Sequence, residues 1–155
     1  MNDLIIGYYG AAFFGGGTYI KLSKKENEDF KIEKIHSAVP NYIPNGEKYI
    51  KVHDKISFKD KEGFSFIEDD DPRLISVYIK ENLKIKKLIE LVQNINLKKM
   101  SKTKYYDDGI LDGLCWDFFI KLDNKTYKID GYEDMPRKLE EVIKYLESIA
   151  EDANI

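Results

Sequence analysis

The sequence predicts an α+β fold, in which a mostly antiparallel sheet of about six to nine strands carries two amphipathic helices. Short segments with apolar residues at every second position, the period of a half-buried strand, recur along much of the chain. Two longer segments instead repeat apolar residues at steps of three and four, the period of a helix. The chain has 155 residues, of which 43% are hydrophobic and 13% aromatic. Because this is enough for one core, we expect a single domain over residues 1–155.

Seven segments of the first two-thirds of the chain are predicted as strands. They cover residues 4–9, 18–22, 30–35, 49–52, 56–58, 64–67 and 74–79. The last segment has an alternative, because the preceding Asp71-Pro72 is also a typical start for a short helix.

Two helices and a hairpin are predicted in the second half. The first helix follows Asn82, a suitable N-cap, and the second begins at Pro136. Their apolar stripes are Ile85, Leu88, Ile89, Val92 and Ile95 in the first, and Leu139, Val142, Ile143, Leu146 and Ile149 in the second. Between the helices, residues 114–122 and 126–129 flank a polar turn at Asp123-Asn124, which predicts a β-hairpin.

Two parts of the chain share an order of features that predicts two related hairpin units. The first part starts at Tyr8-Tyr9 and the second at Tyr105-Tyr106. In each, a glycine-containing bend, an aromatic-Ile-Lys-Leu strand, a polar turn and an aromatic-Lys-Ile strand follow. This pattern indicates a duplication, and the alternative is chance similarity in a chain rich in lysine and isoleucine.

The composition argues against several kinds of protein. The lone cysteine, Cys115, excludes an intrachain disulfide, and with only two histidines the chain has too few ligands for a Cys/His zinc cluster. The N-terminus has no basic segment before its apolar residues, and no apolar run approaches the ~20 residues of a membrane span. We therefore expect a cytoplasmic protein without a metal.

The C-terminal third resembles a small domain found in many uncharacterised bacterial and phage proteins. The resemblance rests on a DG turn at Asp112-Gly113, the strand residues Trp116, Phe118 and Ile120, then Gly131, and a helix opened by Pro136 and continued by Leu139. It implies a strand, return strand and terminal helix, together with a bacterial or phage origin. It implies no activity.

No segment matches a catalytic or cofactor motif, so we expect a protein that is not an enzyme and has no cofactor. The acidic residues 68–71, and Asp107, Asp108 and Asp112, lack the spacing of a calcium loop and are interpreted as solvated turns. Cys115 lies in a predicted strand beside Trp116, where a thiol usually packs as a small apolar group.

Charge and exposed aromatic residues are the remaining indications of function. In a strand, neighbouring side chains point to opposite faces, so one member of each aromatic pair should face away from the core, as an interface anchor or beneath a second layer of helices. The net charge is −3, and acidic patches attract basic partners. Candidate partner contacts are Tyr8, Phe13, Phe14, Glu68, Asp69, Asp70, Lys98, Lys99, Tyr105, Tyr106, Asp107 and Asp108.

The function predicted on these grounds is a binding protein that inhibits a protein partner, such as a basic toxin or a host defence nuclease. Toxin-immunity proteins and phage-encoded, anti-CRISPR-like inhibitors are of this type. The alternative is a nucleic-acid accessory protein that uses the lysines between Lys84 and Lys104. Only two arginines, Arg73 and Arg137, are present, and arginine is the residue preferred for phosphate and base contacts, so nucleic acid ranks second. An enzyme with a dispersed site is the third hypothesis.

Overall fold

The computed structural model describes residues 3–12, 17–35, 74–107, 109 and 114–155. The described elements are, in chain order, β1 (Leu4–Ala12), β2 (Gly17–Lys24), β3 (Phe30–Ile35), β4 (Leu74–Ile79), α1 (Leu83–Gln93), α2 (Leu97–Met100), β5 (Tyr105–Tyr106), β6 (Leu114–Leu122), β7 (Lys125–Tyr132) and α3 (Arg137–Asp152). The strands form one sheet in the order β4-β3-β2-β1-β6-β7-β5. All neighbouring strands are antiparallel except β5 and β7. The predicted α+β class and mostly antiparallel sheet are confirmed.

Strand bounds follow the alternation where it is strong and exceed it where it is weak. β3 and β4 coincide with the predicted segments. The alternative prediction, a short helix after Asp71-Pro72, is wrong for residues 74–79, which form a strand. β1 continues to Ala12 through glycine and alanine because it pairs with both β2 and β6. The strands predicted at residues 49–52, 56–58 and 64–67 lie outside the described residues.

The helices begin at the predicted positions. The Asn82 side chain accepts a hydrogen bond of 3.0 Å from the Ile85 amide at the start of α1, and Pro136 occupies the N-cap position of α3. A third helix, α2, was not predicted, since a single turn of four residues carries no readable period. In the described part of the chain, no helix is long and apolar enough to cross a membrane.

The two predicted hairpin units are not confirmed. The hairpins β2–β3 and β6–β7 are both present. The aromatic pairs that open the units differ, however, because Tyr8-Tyr9 lies in a long strand between β2 and β6, whereas Tyr105-Tyr106 forms a two-residue strand parallel to β7.

The main core lies between one face of the sheet and the helices α1 and α3, and we call that side of the sheet the helix face. Asp123 and Asn124 both have positive φ angles (51° and 65°), as a two-residue hairpin turn that matches strand twist requires. This turn sets the register between β6 and β7 on the helix face. Buried residues of the helix face are Leu4, Ile6, Tyr8, Ile20, Leu22, Phe30, Ile32, Trp116, Phe118, Ile120 and Ile129.

The opposite face of the sheet is also buried near its centre. The side chains of Tyr9, Tyr19 and Phe119 alternate with the helix-face residues and are buried there. Glu33, a buried charged residue, lies on this face with its carboxylate 3.3 Å from the Lys21 amine and 3.9 Å from that of Lys31. Pairing compensates part of the desolvation cost of this carboxylate.

Candidate protein-binding site

A group of aromatic and acidic side chains, most of them exposed, lies at the end of the sheet formed by β6, β7 and β5. Tyr106 is 51% exposed, and its hydroxyl donates a hydrogen bond of 2.6 Å to Asp130 Oδ2. The Asp130 carboxylate holds the phenolic proton and, with burial, raises the pKa of Tyr106 to about 12. We name Tyr106, Asp107, Asp117 and Asp130 the aromatic–acidic patch.

Backbone pairing places Tyr106 and Asp107 beside β7. Tyr106 pairs with Tyr132 in the parallel ladder, and the Asp107 amide continues it by donating to the Tyr132 carbonyl at 3.0 Å. The Asp107 carboxylate then accepts a hydrogen bond of 3.0 Å from the Gly109 amide. This part of the patch is therefore held by backbone contacts and not by side-chain packing alone.

Asp117 and Asp130 are register partners on adjacent antiparallel strands. Carboxylates at such positions point to the same face and lie close together. Burial, with Asp130 as the second cause, raises the pKa of Asp117 from 3.8 to about 7. The patch thus has an outer carboxylate at Asp130 and an inner carboxyl group whose charge changes near neutral pH.

Cys115 lies on the same strand as Asp117 and is half-buried. Burial and the charges of Asp117 and Glu133 raise the pKa of its thiol. The thiolate is the nucleophilic form of cysteine, so this environment disfavours a role for Cys115 as a nucleophile.

The predicted contact residue Tyr8 does not lie on the surface, which corrects its assignment as a partner contact. It is 5% exposed on the helix face, and its ring centroid lies 5.0 Å from that of Phe118. Tyr9 points to the opposite face, as alternation requires, but is buried as well. The predicted pair therefore exposes neither ring.

The other predicted contacts divide into three groups. Tyr105 is half-buried, with its ring centroid 5.8 Å from that of Trp116, whereas Tyr106 and Asp107 are exposed members of the patch. Lys98 and Lys99 are exposed on α2. Phe13, Phe14, Glu68, Asp69, Asp70 and Asp108 lie outside the described residues.

The lysine segment, residues 84–104, is a second charged surface. Lys84 is engaged: its amine lies 2.6 Å from Ser148 Oγ and 2.6 Å from Asp152 Oδ2, which ties α1 to α3. The other six lysines are Lys86, Lys87, Lys98, Lys99, Lys102 and Lys104, all exposed. The structure gives these six no ion pair with any described carboxylate.

The described part of the chain has two clefts whose linings do not include the patch. One, of about 440 Å³, lies where α1 and α2 approach the β6–β7 turn, and is lined by Lys98, Lys125 and Tyr127 among others. The other, of about 360 Å³, lies between α1 and α3. Within the described residues, no three His, Cys, Asp or Glu side chains come close enough to hold a metal ion.

Sequence reasoning did not identify Asp117 and Asp130, although a signal for them was present. Alternation in β6 puts Trp116 and Phe118 on the helix face, which leaves Asp117 on the other face. The two-residue turn at 123–124 then makes Asp130 its cross-strand partner. The acidic pair was therefore readable from the turn and the alternation together.

The chain has no match among protein-family models, curated proteins or solved structures.

Proposed function

We propose that this chain is a non-enzymatic binding protein that inhibits a basic protein partner, such as a toxin or a nuclease, by covering it with the aromatic–acidic patch. The observation that carries the proposal is the exposed Tyr106 ring, which is oriented by its hydrogen bond to Asp130. Asp117, the register partner of Asp130, contributes to the electrostatic environment of the Tyr106 hydroxyl, and Asp107 follows Tyr106 in the chain at the same end of the sheet.

The patch has the chemistry of an interface anchor. Tyrosine is enriched among the residues that dominate binding energy. A ring that is already oriented loses less conformational entropy on binding than a free one. The surrounding carboxylates supply negative potential, which accelerates encounter with a cationic surface.

Nucleases are suitable partners on electrostatic grounds. A protein that binds nucleic acid neutralises phosphates with lysine and arginine, so its binding surface is cationic. Exposed carboxylates beside an aromatic ring offer such a surface a substitute for phosphate beside a base. An inhibitor of this kind needs no catalytic residue, because occupying the surface excludes the substrate.

The proposal is tested by capture from the native host followed by an inhibition assay. The purified chain is immobilised, captured proteins are identified, and each one that is basic is expressed and assayed for nuclease or toxic activity. We expect a stoichiometric amount of the chain to abolish that activity. A host that yields no basic partner, or a partner whose activity is unchanged, contradicts the proposal.

Variants of the patch then assign the surface. Tyr106→Ala and Asp130→Lys should each weaken binding to the identified partner by about 10- to 30-fold, the range of an anchor residue. Tyr106→Phe keeps the ring and loses the hydrogen bond, so it should have a smaller effect. Glu140→Lys, an equal charge reversal on an exposed position of α3, is the matched control and should bind as the parent does.

A nucleic-acid accessory role is the second candidate, and it rests on the exposed lysine segment. Residues 84–104 hold seven lysines against one glutamate, while the whole chain has a net charge of −3. This excess of positive charge on α1, α2 and the following loop is suited to a phosphate backbone. The aromatic residue that follows, Tyr106, argues against it, because its hydroxyl is bound to a carboxylate that repels phosphate.

A further inference from the structure

The outer strand β4 forms an edge of the sheet in the described part of the chain. Exposed strand edges present unpaired backbone groups and are usually protected by charges, proline or a bulge. Residues 74–79 contain no charged residue, no proline and no glycine. Within the described residues, β4 therefore carries none of these three protections.

Exposed apolar side chains concentrate at this edge. Among the described residues, four large hydrophobic side chains are exposed, and two of them lie on β4. Ile75 is 41% exposed on the helix face and Tyr78 is 58% exposed on the opposite face. Both faces of the edge thus offer apolar surface that pairing would cover.

The strand is complementary to itself in antiparallel pairing. A two-fold axis perpendicular to the sheet keeps the helix faces of both copies on one side, so partners must share a face. With Val77 on the axis, Ile75 faces Ile79 of the other copy and Ser76 faces Tyr78. With Ser76 on the axis, Ile75 faces Val77 and Leu74 faces Tyr78. Neither register opposes two like charges, which would otherwise destabilise the pair.

We propose that β4 pairs antiparallel with β4 of a second copy of this chain, so that the two sheets become one continuous sheet in a closed dimer. Self-pairing of one edge is isologous and ends at two copies, whereas β4 pairing with the other edge, β5, would be open-ended. The dimer leaves β5 and the aromatic–acidic patch at the two outer ends.

The first test is the oligomeric state by sedimentation equilibrium across a wide range of protein concentration. The parent should show a reversible monomer–dimer equilibrium. Ile75→Glu and Tyr78→Glu, placed at exposed positions on opposite faces, each put a carboxylate opposite a lysine of β3 (Lys34 and Lys31), and each should raise the dissociation constant by about tenfold or more. Leu83→Glu, also exposed but outside the strand, is the matched control and should leave it nearly unchanged. Unchanged thermal melts of the monomers verify that the variants fold.

The second test reports the register by cross-linking in a Cys115→Ala background. Opposed residues in antiparallel strands have Cα atoms about 4.5–5.5 Å apart, within the range of a disulfide. Ser76→Cys or Val77→Cys should therefore oxidise to a covalent dimer much faster than Thr126→Cys, an exposed control on β7. Three outcomes would overturn the proposal: a monomer at every concentration, assemblies that keep growing, or a dimer indifferent to both glutamate variants and to the cysteine position.

Discussion

A tryptophan in a sheet needs a large apolar space and an acceptor for its indole N–H, and Trp116 has both. The side chain is 1% exposed, its N–H donates to the Asp134 carbonyl at 3.1 Å, and it packs against Tyr105 and Phe118. Gly131 lies opposite it in β7, where any Cβ would collide with the indole ring. The glycine is thus required by the tryptophan.

Truncation of Trp116 should strongly destabilise the fold. We expect Trp116→Ala to lower the free energy of unfolding by about 3–5 kcal/mol, because it leaves a cavity and an unpaired carbonyl. Chemical denaturation of parent and variant measures the difference. Trp116→Phe should cost less, since it retains most of the apolar contact. A variant with alanine that unfolds at the parent's midpoint would show that the ring contributes no packing energy.

Asp117 should make stability depend on pH in a predictable direction. Its folded pKa of about 7 exceeds the ordinary value of ~3.9 for an unfolded chain, so the folded state binds the extra proton between these values. Stability from this group is fully present below about pH 4 and is lost as pH rises through 7. The free energy of unfolding of Asp117→Asn, relative to that of the parent, should therefore rise by about 1–3 kcal/mol from pH 5 to pH 8.

The measurement for Asp117 is the difference in unfolding free energy between parent and Asp117→Asn at several pH values. Using the difference cancels the titration of groups common to both proteins. An equivalent exposed change, Asp123→Asn, is the control and should give no comparable trend. A difference that is constant from pH 5 to 8 would mean that Asp117 ionises in the fold as it does in water.

Elements with strong periodicity were predictable, and elements created by distant contacts were not. The alternation at the start of β3 and the apolar run of β4 suffice to define these two strands, and the stripes of α1 and α3 are long enough to predict helices. β5 consists of two residues that become a strand only by pairing with β7, about 26 positions away. Tyr106 is placed beside β7 by the same pairing, which explains why Tyr106 and Asp107 were predicted as contacts from their own segment, whereas Asp117 and Asp130 on distant strands were not.

The start of α1 depends on one side chain. Asn82 caps the helix by accepting from the Ile85 amide at 3.0 Å, and no acidic residue in the first turn assists it. Asn82→Ala should lower the free energy of unfolding by about 1 kcal/mol, the typical value of an N-cap. Asn82→Asp or Asn82→Ser should restore most of the loss, which thermal melts can resolve. Equal melting of the alanine and aspartate variants would contradict a capping role.

At the scale of the molecule, charge is separated between two surfaces. The lysine segment covers α1, α2 and the loop that follows, whereas the aromatic–acidic patch begins a few residues later at the sheet edge. The lysine cluster was predictable from the sequence, since all seven lysines lie within residues 84–104. It did not reveal that Lys84 is engaged with Ser148 and Asp152, because those contacts span about 64 to 68 positions.

The last prediction distinguishes a protein-binding function from a nucleic-acid function. If the six exposed lysines only solvate the surface, the chain should show no measurable binding to single-stranded RNA near 150 mM salt, and we expect this result. Flanking Tyr106 with carboxylates removes the stacking platform that single-strand binding proteins use beside their cations. If the lysines instead bind phosphate, each contact contributes roughly 0.7 to the slope of log affinity against log salt. Fluorescence anisotropy with a labelled oligouridine measures both quantities.

One outcome would favour the nucleic-acid role over the inhibitor. It is a micromolar affinity for the RNA that is retained when the patch residue Asp130 is reversed to lysine, and that is abolished when five exposed lysines are reversed to glutamate. These five are Lys86, Lys87, Lys98, Lys99 and Lys102.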